Sequence, residues 1–270
     1  MKLLNKIKSI AIGSFDGLHR GHQALIAQVE ALVIIERNGG YLTPGYKRSC
    51  YTDRTCCFYH FDKTKGLSAE AFVARVLEDF PHLEKIVVGY DFHFGKNKGG
   101  NGALLKKLFE GEVTIVDQVS YEGIPVHSRT IKQYLKEGNV RMANALLGRE
   151  YLIEGEVIRG QGLGKKELLP TINLFVDHYQ LPREGVYATR TSVGDQRYAS
   201  VTFIGHRVST DGSHAVETHL LNVSIHEHQV TESVTVEFVQ SIRQNRRFDD
   251  LKALKAQIME DIRQAKVFLG

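Results

Sequence analysis

The feature that most constrains this chain is a change in the rhythm of its apolar residues, near Leu147-Gly148-Arg149-Glu150. Before that point, short apolar runs alternate with segments of helical period. After it, one strand-like run follows another with no helix between them. The first pattern predicts a parallel sheet with helices on both faces, and the second predicts an antiparallel barrel. Two domains are therefore expected, 1–148 and 149–270, and 270 residues suffice for two cores of ordinary size.

In the first half, residues 7–12 read as a strand closed by Gly13. A helix is predicted over 22–37 from the spacing of Leu25, Val29, Leu32 and Ile35, with Asn38-Gly39-Gly40 as its stop. Residues 40–55 have no clear period and are rich in Tyr, Cys and basic side chains. Ser68 is placed to cap a helix bearing Phe72, Val76 and Leu77, and 85–88 and 112–116 read as short strands. In the second half, strands are predicted at 152–158, 186–191, 198–204, 216–221 and 233–239, the last with Val234, Val236 and Phe238 on one face. An amphipathic helix carrying Leu251, Leu254, Ile258, Ile262 and Ala265 closes the chain.

Apolar residues at 42% and charged residues at 24% exclude a disordered chain or a coiled coil. The net charge of +4, from 35 basic and 31 acidic residues, is too small to predict a nucleic-acid partner, yet it suits anionic small molecules. Cys50, Cys56 and Cys57 form neither a disulfide framework nor a zinc-ligand spacing, so a reducing compartment is expected. The N-terminus is basic, but the apolar run after it is broken by Lys8 and ends at Asp16, too short for a signal peptide. No stretch has the length of a membrane span. A cytoplasmic protein with no membrane partner is expected, and its oligomeric state is not legible.

Two segments carry chemistry. The first, Gly13-Ser14-Phe15-Asp16-Gly17-Leu18-His19-Arg20-Gly21-His22, joins the first strand to the first helix. Glycine there allows close backbone approach to a ligand, and a helix start offers N–H groups to phosphate. Two histidines flanking Gly21 suit a reaction in which charge grows on an α-phosphate. His19-x-Gly21-His22 is similar to the HxGH motif of the nucleotidyltransferase superfamily, and the longer string resembles its FAD synthetase branch. That resemblance implies a Rossmann-like α/β domain in which Gly13, Phe15, Asp16 and Gly21 bind ATP and His19 and His22 are catalytic.

Gly89-Tyr90-Asp91-Phe92-His93-Phe94-Gly95-Lys96, followed by Gly99-Gly100-Asn101, resembles a further signature of this branch. It implies flavin contacts from Asp91, Phe92, Phe94 and Asn101, and the two Phe residues read equally well as core. The chain departs from the branch at 40–55, where a Phe-x-Pro-His-Pro stretch is missing. It departs again at His127-Ser128-Arg129-Thr130-Ile131-Lys132, where Ser128 and Arg129 are the ATP candidates.

The second segment is Gly160-Gln161-Gly162-Leu163-Gly164-Lys165-Lys166, a glycine-rich turn whose N–H groups can nest phosphates. Pro170-Thr171-Ile172-Asn173 follows and is similar to the PTxN motif of riboflavin kinases, with Leu168 standing where that family has Gly. The resemblance implies ATP contacts from Gly160, Gly162, Gly164, Thr171 and Asn173. It also implies Mg2+ held by Thr171 and Asn173, a catalytic base at Glu217 and a flavin contact from Arg243. A hydroxyl and an amide oxygen are hard ligands suited to that ion. On its strand, Glu217 is expected to share a face with His219, opposite Val216, Thr218 and Leu220.

Both modules stand in the order of the prokaryotic bifunctional riboflavin kinase/FAD synthetases. The implied chemistry is phosphorylation of riboflavin to FMN by ATP, then adenylylation of FMN to FAD. Two alternatives stay open: a flavin-binding or regulatory protein with one decayed site, and a nucleotidyltransferase with another acceptor.

Overall fold

The computed structural model describes residues 4–37, 41–158, 169–207, 212–223 and 232–270. The chain divides into two compact units, Met1–Ser128 and Arg129–Gly270.

In the first unit the elements are β1 (Ser9–Gly13), α1 (Arg20–Ile26), β2 (Ala31–Glu36), β3 (Thr55–His60), α2 (Phe61–Thr64), α3 (Ala69–Asp79), β4 (Lys85–Gly89), β5 (His93–Phe94), β6 (Gly100–Asn101), α4 (Gly102–Leu108), β7 (Glu112–Val116), β8 (Ser120–Tyr121) and β9 (Ile124–Pro125). The main sheet is wholly parallel, in the order β3-β2-β1-β4-β7. Its strand residues alternate between two cores, as a sheet covered on both faces requires. Ile10, Ile12, Val33 and Val88 pack with Phe72 and Val76 of α3 and Leu105 of α4. Ala11, Leu32, Ile34 and Val87 pack with Leu25 and Ile26 of α1.

The helix expected over 22–37 is corrected here. Helix α1 ends at Ile26, and Ala31 to Glu36 is the interior strand β2, between β3 and β1. The apolar run Leu32-Val33-Ile34-Ile35 is rich in β-branched residues and buried on both faces, so a helical period fits it by coincidence. The stop at 38–40 lies outside the described residues. The unpatterned segment 40–55 holds a 3-10 turn over Gly45–Tyr51 and leads into the edge strand β3. Ser68 caps α3 as expected, its side chain accepting from the Ala71 N–H at 3.2 Å.

The second unit opens with α5 (Ser128–Glu137, its first residue in the first unit) and α6 (Val140–Leu147). It continues with β10 (Tyr151–Ile158), β11 (Ile172–Phe175), β12 (Gly185–Val193), β13 (Gln196–His206), β14 (His214–Leu220), β15 (Ser233–Gln244) and α7 (Leu251–Leu269). The strands close into a barrel in the order β10-β11-β14-β13-β12-β15, every described pairing antiparallel. Beside Tyr151, Ile153, Val236 and Phe238, the buried residues include Thr189, Thr191, Ser200, Thr202 and Thr218, whose hydroxyls contact one another at 2.8–3.1 Å.

Helix α7 departs from its expected stripe. Leu251 is exposed, whereas Asp261 is buried with Ala265. The Asp261 carboxylate receives the Arg243 Nε at 2.9 Å and Nη2 at 2.9 Å, an ion pair that ties α7 to β15. A buried charge with so close a partner holds a position that periodicity assigns to apolar residues.

Helix α6 packs on β10 and β15, and Gly148, at φ +78°, ends it in the left-handed conformation. Asn144 bridges the helix to the barrel: its Nδ2 donates to the Phe238 carbonyl at 2.8 Å, and its Oδ1 accepts from the Tyr151 N–H at 2.7 Å. A fragment spanning 129–270 is therefore expected to resist urea better than one spanning 149–270. The shorter fragment loses the burial of Val140, Ala143, Leu146 and Leu147 as well as the Asn144 bridge, on the order of 4 kcal/mol. Equal urea midpoints would show that the helices add nothing to the barrel.

Candidate active sites

The first site is built at the end of β1. The loop that follows is conformationally strained, with Phe15 at φ +48°, Gly17 at +88° and Leu18 at +39°. Burial of the Phe15 and Leu18 side chains holds it in place. Phe15 is thus a core residue whose ring meets His22 at 5.1 Å. Asp16 is buried as well, and its Oδ1 accepts from the Leu42 and Thr43 N–H groups at 2.8 and 3.1 Å. Ser128 is brought to the same loop, its hydroxyl donating to the Asp16 carbonyl at 2.7 Å.

The two histidine rings stack, with centroids 3.6 Å apart. His19 is the N-cap of α1, and its Nδ1 accepts from the His22 N–H at 3.2 Å. One N–H expected to face phosphate is therefore taken by the cap. In a neutral His19 ring, an accepting Nδ1 leaves the proton on Nε2, which is then a donor. Burial, followed by the neighbouring His19, Arg48 and His127, holds the His22 imidazole well below the usual histidine range, so it is neutral at pH 7. Its Nδ1 is buried without a hydrogen-bond partner. Gly21 is closely packed, since a Cβ there would meet the His19 ring and the Val126 carbonyl at 3.2 Å.

Arg48 is the residue that the sequence reading missed. It is fully buried in the unpatterned segment and lies over the Tyr41 ring at 4.8 Å. Its Nη1 pairs with Glu36, whereas its Nε and Nη2 are buried without a partner. A lone Arg among Tyr, Lys and Cys carries no periodic signal that would mark it as buried.

The flavin candidates of this unit separate. Phe94 is a core residue packed against Phe72 at 5.5 Å, while Phe92 stacks on it at 5.4 Å and stays partly exposed. Gly100 seats the Phe94 ring, which a Cβ would approach to 2.7 Å. Asn101 caps α4 through Oδ1, accepting from the Leu104 N–H at 2.9 Å, and Asp91 is exposed. Of the two rings, Phe92 is the more exposed.

The second site lies on the outer face of the barrel. Asn173 on β11 and Glu217 on β14 are directly opposed in the antiparallel register, so their side chains share a face. Val216, Thr218 and Leu220 are buried on the other, as alternation predicts. Arg207, just after β13, spans the pair. Its Nη2 donates to Asn173 Oδ1 at 2.8 Å and to Glu217 Oε1 at 2.7 Å, its Nε reaches the same Oε1 at 3.2 Å, and its Nη1 donates to Ser213 Oγ at 2.7 Å. No motif marked Arg207, because its importance comes from register rather than local spacing. His219 is a tether: its Nδ1 is 2.8 Å from the Pro170 carbonyl, beside the exposed Thr171.

Gly160, Gly162 and Gly164 lie outside the described residues, as do Lys165, Lys166 and Leu168. Arg243 has Nε and Nη2 committed to Asp261 and Nη1 to the Gln244 carbonyl, and its guanidinium lies over the Phe248 ring at 5.4 Å. These bonds take three of the five guanidinium N–H groups, so a flavin contact there would use the other two. Arg129 follows Ser128 on α5. Among the described residues, no group of three or more His, Cys, Asp or Glu is placed to hold a metal.

Comparison with known proteins matches each unit. A riboflavin kinase family model fits residues 147–269, and a FAD synthetase model fits 2–36 and 48–130. The interruption, 37–47, overlaps the segment 40–55 where the Phe-x-Pro-His-Pro stretch is missing. Bifunctional riboflavin kinase/FMN adenylyltransferases are similar from end to end. That of Pseudomonas fluorescens is 31% identical over 94% of this chain and 91% of its own length. That of Listeria monocytogenes is 28% identical over 99% and 93%, and that of Escherichia coli K12 is 28% identical over 97% and 92%. A crystal structure from Streptococcus pneumoniae, described as a macrolide-efflux protein, superposes with a TM-score of 0.84 at 25% identity, covering 97% of this chain and 96% of that one. Among the described residues, no helix is long and apolar enough to cross a membrane. The end-to-end match to those relatives, with a distinct module in each half, shows that the chain belongs to the bifunctional riboflavin kinase/FMN adenylyltransferase family.

Proposed function

We propose that this chain makes FMN and then FAD, transferring the γ-phosphoryl of ATP to riboflavin in the barrel unit and AMP to FMN in the α/β unit. The observation that carries this reading is the presence of two separate polar sites, one per unit, each on residues that its family motif supplies. In the barrel, Glu217 takes the proton of the ribityl 5′-hydroxyl as its oxygen attacks the γ-phosphorus and ADP leaves. Thr171 and Asn173 offer the hard oxygens that would hold Mg2+, whose charge neutralises the phosphates when it is bound.

In the α/β unit, a phosphate oxygen of FMN attacks the α-phosphorus of ATP and pyrophosphate leaves. His19 and His22 donate hydrogen bonds to the α-phosphate oxygens, where charge develops. Ser128, tied to the Asp16 carbonyl, stands beside that loop as an ATP contact, and Phe92 offers its ring to the flavin. The kinase activity belongs to 149–270 and the transferase to 1–148, with α5 and α6 bracing the barrel. A cytoplasmic location accords with riboflavin and ATP as substrates.

Incubation with riboflavin, ATP and Mg2+, followed by chromatography, tests the reading. FMN is expected to rise first and FAD to accumulate from it. FMN without FAD would identify the α/β site as decayed, and neither product would overturn both assignments.

A further inference from the structure

The base and the amide of the barrel site are each held by one guanidinium, and that arrangement goes beyond the motif residues. Asn173 and Glu217 face each other because the strands pair, yet pairing fixes only their Cα positions. Side chains on an outer barrel face keep several rotamers unless something selects one. Arg207 makes that selection. Its planar fork reaches Asn173 Oδ1 and Glu217 Oε1 through a single nitrogen, Nη2, and returns to Oε1 through Nε.

The fork itself is anchored. Arg207 N–H donates to the Ser213 carbonyl at 2.9 Å, the Gly212 N–H returns to the Arg207 carbonyl at 3.1 Å, and Nη1 holds Ser213 Oγ. Arg207 and Glu217 are both about one-fifth exposed, so the pair is only partly open to water. All described contacts of the Glu217 carboxylate fall on Oε1, which leaves Oε2 to meet a hydroxyl. The arrangement immobilises one oxygen of the base and keeps the other available.

We propose that Arg207 is the positioning residue of the kinase site, clamping Glu217 Oε1 and Asn173 Oδ1 so that Oε2 is aimed at the acceptor hydroxyl. This rests on the assignment of Glu217 as the base. Misorientation of one group is enough to cost one to two orders of magnitude in a reaction that depends on alignment.

The test is a double-mutant cycle on riboflavin phosphorylation with R207M, E217Q and R207M/E217Q. R207M is expected to lower kcat by about 10–100-fold, with a smaller change in the KM for riboflavin. Once Glu217 is Gln there is no base left to orient, so adding R207M should cost less than about threefold more. R207K keeps the charge but not the fork and should recover only part of the loss. Calorimetric titration with Mg2+ and a non-hydrolysable ATP analogue reads the Asn173 arm without turnover. R207M should weaken one binding event several-fold and leave the event of the α/β site unchanged.

Thermal unfolding separates a positioning defect from a folding defect, because a folded R207K with the intermediate kcat sustains the proposal even if R207M is unstable. Fully additive losses in the cycle, or wild-type kcat in R207M, would overturn it. Wild-type kcat in E217Q would instead overturn the base assignment beneath it, a distinguishable result.

Discussion

Glu217→Gln is expected to lower the turnover of riboflavin phosphorylation by about 10²–10⁴-fold while leaving FMN-to-FAD conversion intact. The amide keeps the size of the side chain and can still accept from Arg207 Nη2, so the Arg207–Asn173 contact should persist. What disappears is a group able to take a proton. The loss should therefore appear in kcat with little change in the KM for riboflavin. Thr171→Ala and Asn173→Ala act on different chemistry, since they remove the oxygens proposed to hold Mg2+, and their defect should include a higher KM for ATP. Steady-state assays started separately from riboflavin and from FMN make the distinction. A Glu217→Gln enzyme with wild-type turnover would leave the barrel site without a base on its Asn173 face.

Replacing His19 and His22 together by Ala should cut FAD formation by about two orders of magnitude or more, with riboflavin phosphorylation nearly unchanged. The two imidazoles stack at the start of α1, and removal of hydrogen-bond donors to a phosphate on which charge develops is felt mainly in the transition state. The single variants should differ in stability as well. His19→Ala also deletes the cap that accepts the His22 N–H, which costs about 1 kcal/mol of local helix stability. His22→Ala leaves that cap in place. Thermal unfolding followed alongside both assays should show this asymmetry. Equal loss of the two activities would instead indicate general unfolding.

The sequence made the architecture legible where burial is one-sided. Alternation in 233–239 located β15 and its inward Val234, Val236 and Phe238 because one face meets the core and the other meets solvent. It misled where a strand is buried on both faces. There β2 is apolar without a break from Ala31 to Ile35, and a helical period can be read into any continuous run. The catalytic candidates His19, His22, Thr171, Asn173 and Glu217 were visible through local strings. Arg207, Arg48 and Asp261 were not, because each draws its significance from a partner distant in the chain or from complete burial of a charge. Phe94 and Arg243 illustrate the reverse case. Their residue types suited a ligand, and the structure adds a role within the fold: the Phe94 ring packs on Phe72, and Arg243 binds Asp261.

The hydroxyls inside the barrel have a consequence for the strand that carries Glu217. Their contacts run from Thr189 to Ser200, Thr191, Thr218 and Thr202 and back to Thr189, which closes a five-membered circuit. Five groups with one proton each and five links allow every member to give once and receive once, with all arrows pointing the same way round. Thr202 donates to Thr218, which sets the sense of the whole round: Thr218 gives to Thr191, Thr191 to Ser200, Ser200 to Thr189 and Thr189 to Thr202. Changing any one member to Val opens the circuit into a chain with an unmet donor at one end and an unmet acceptor at the other. Thr218, immediately behind Glu217, is a link in this circuit, so the strand that carries Glu217 is locked from its inner side by a structure that works only when complete.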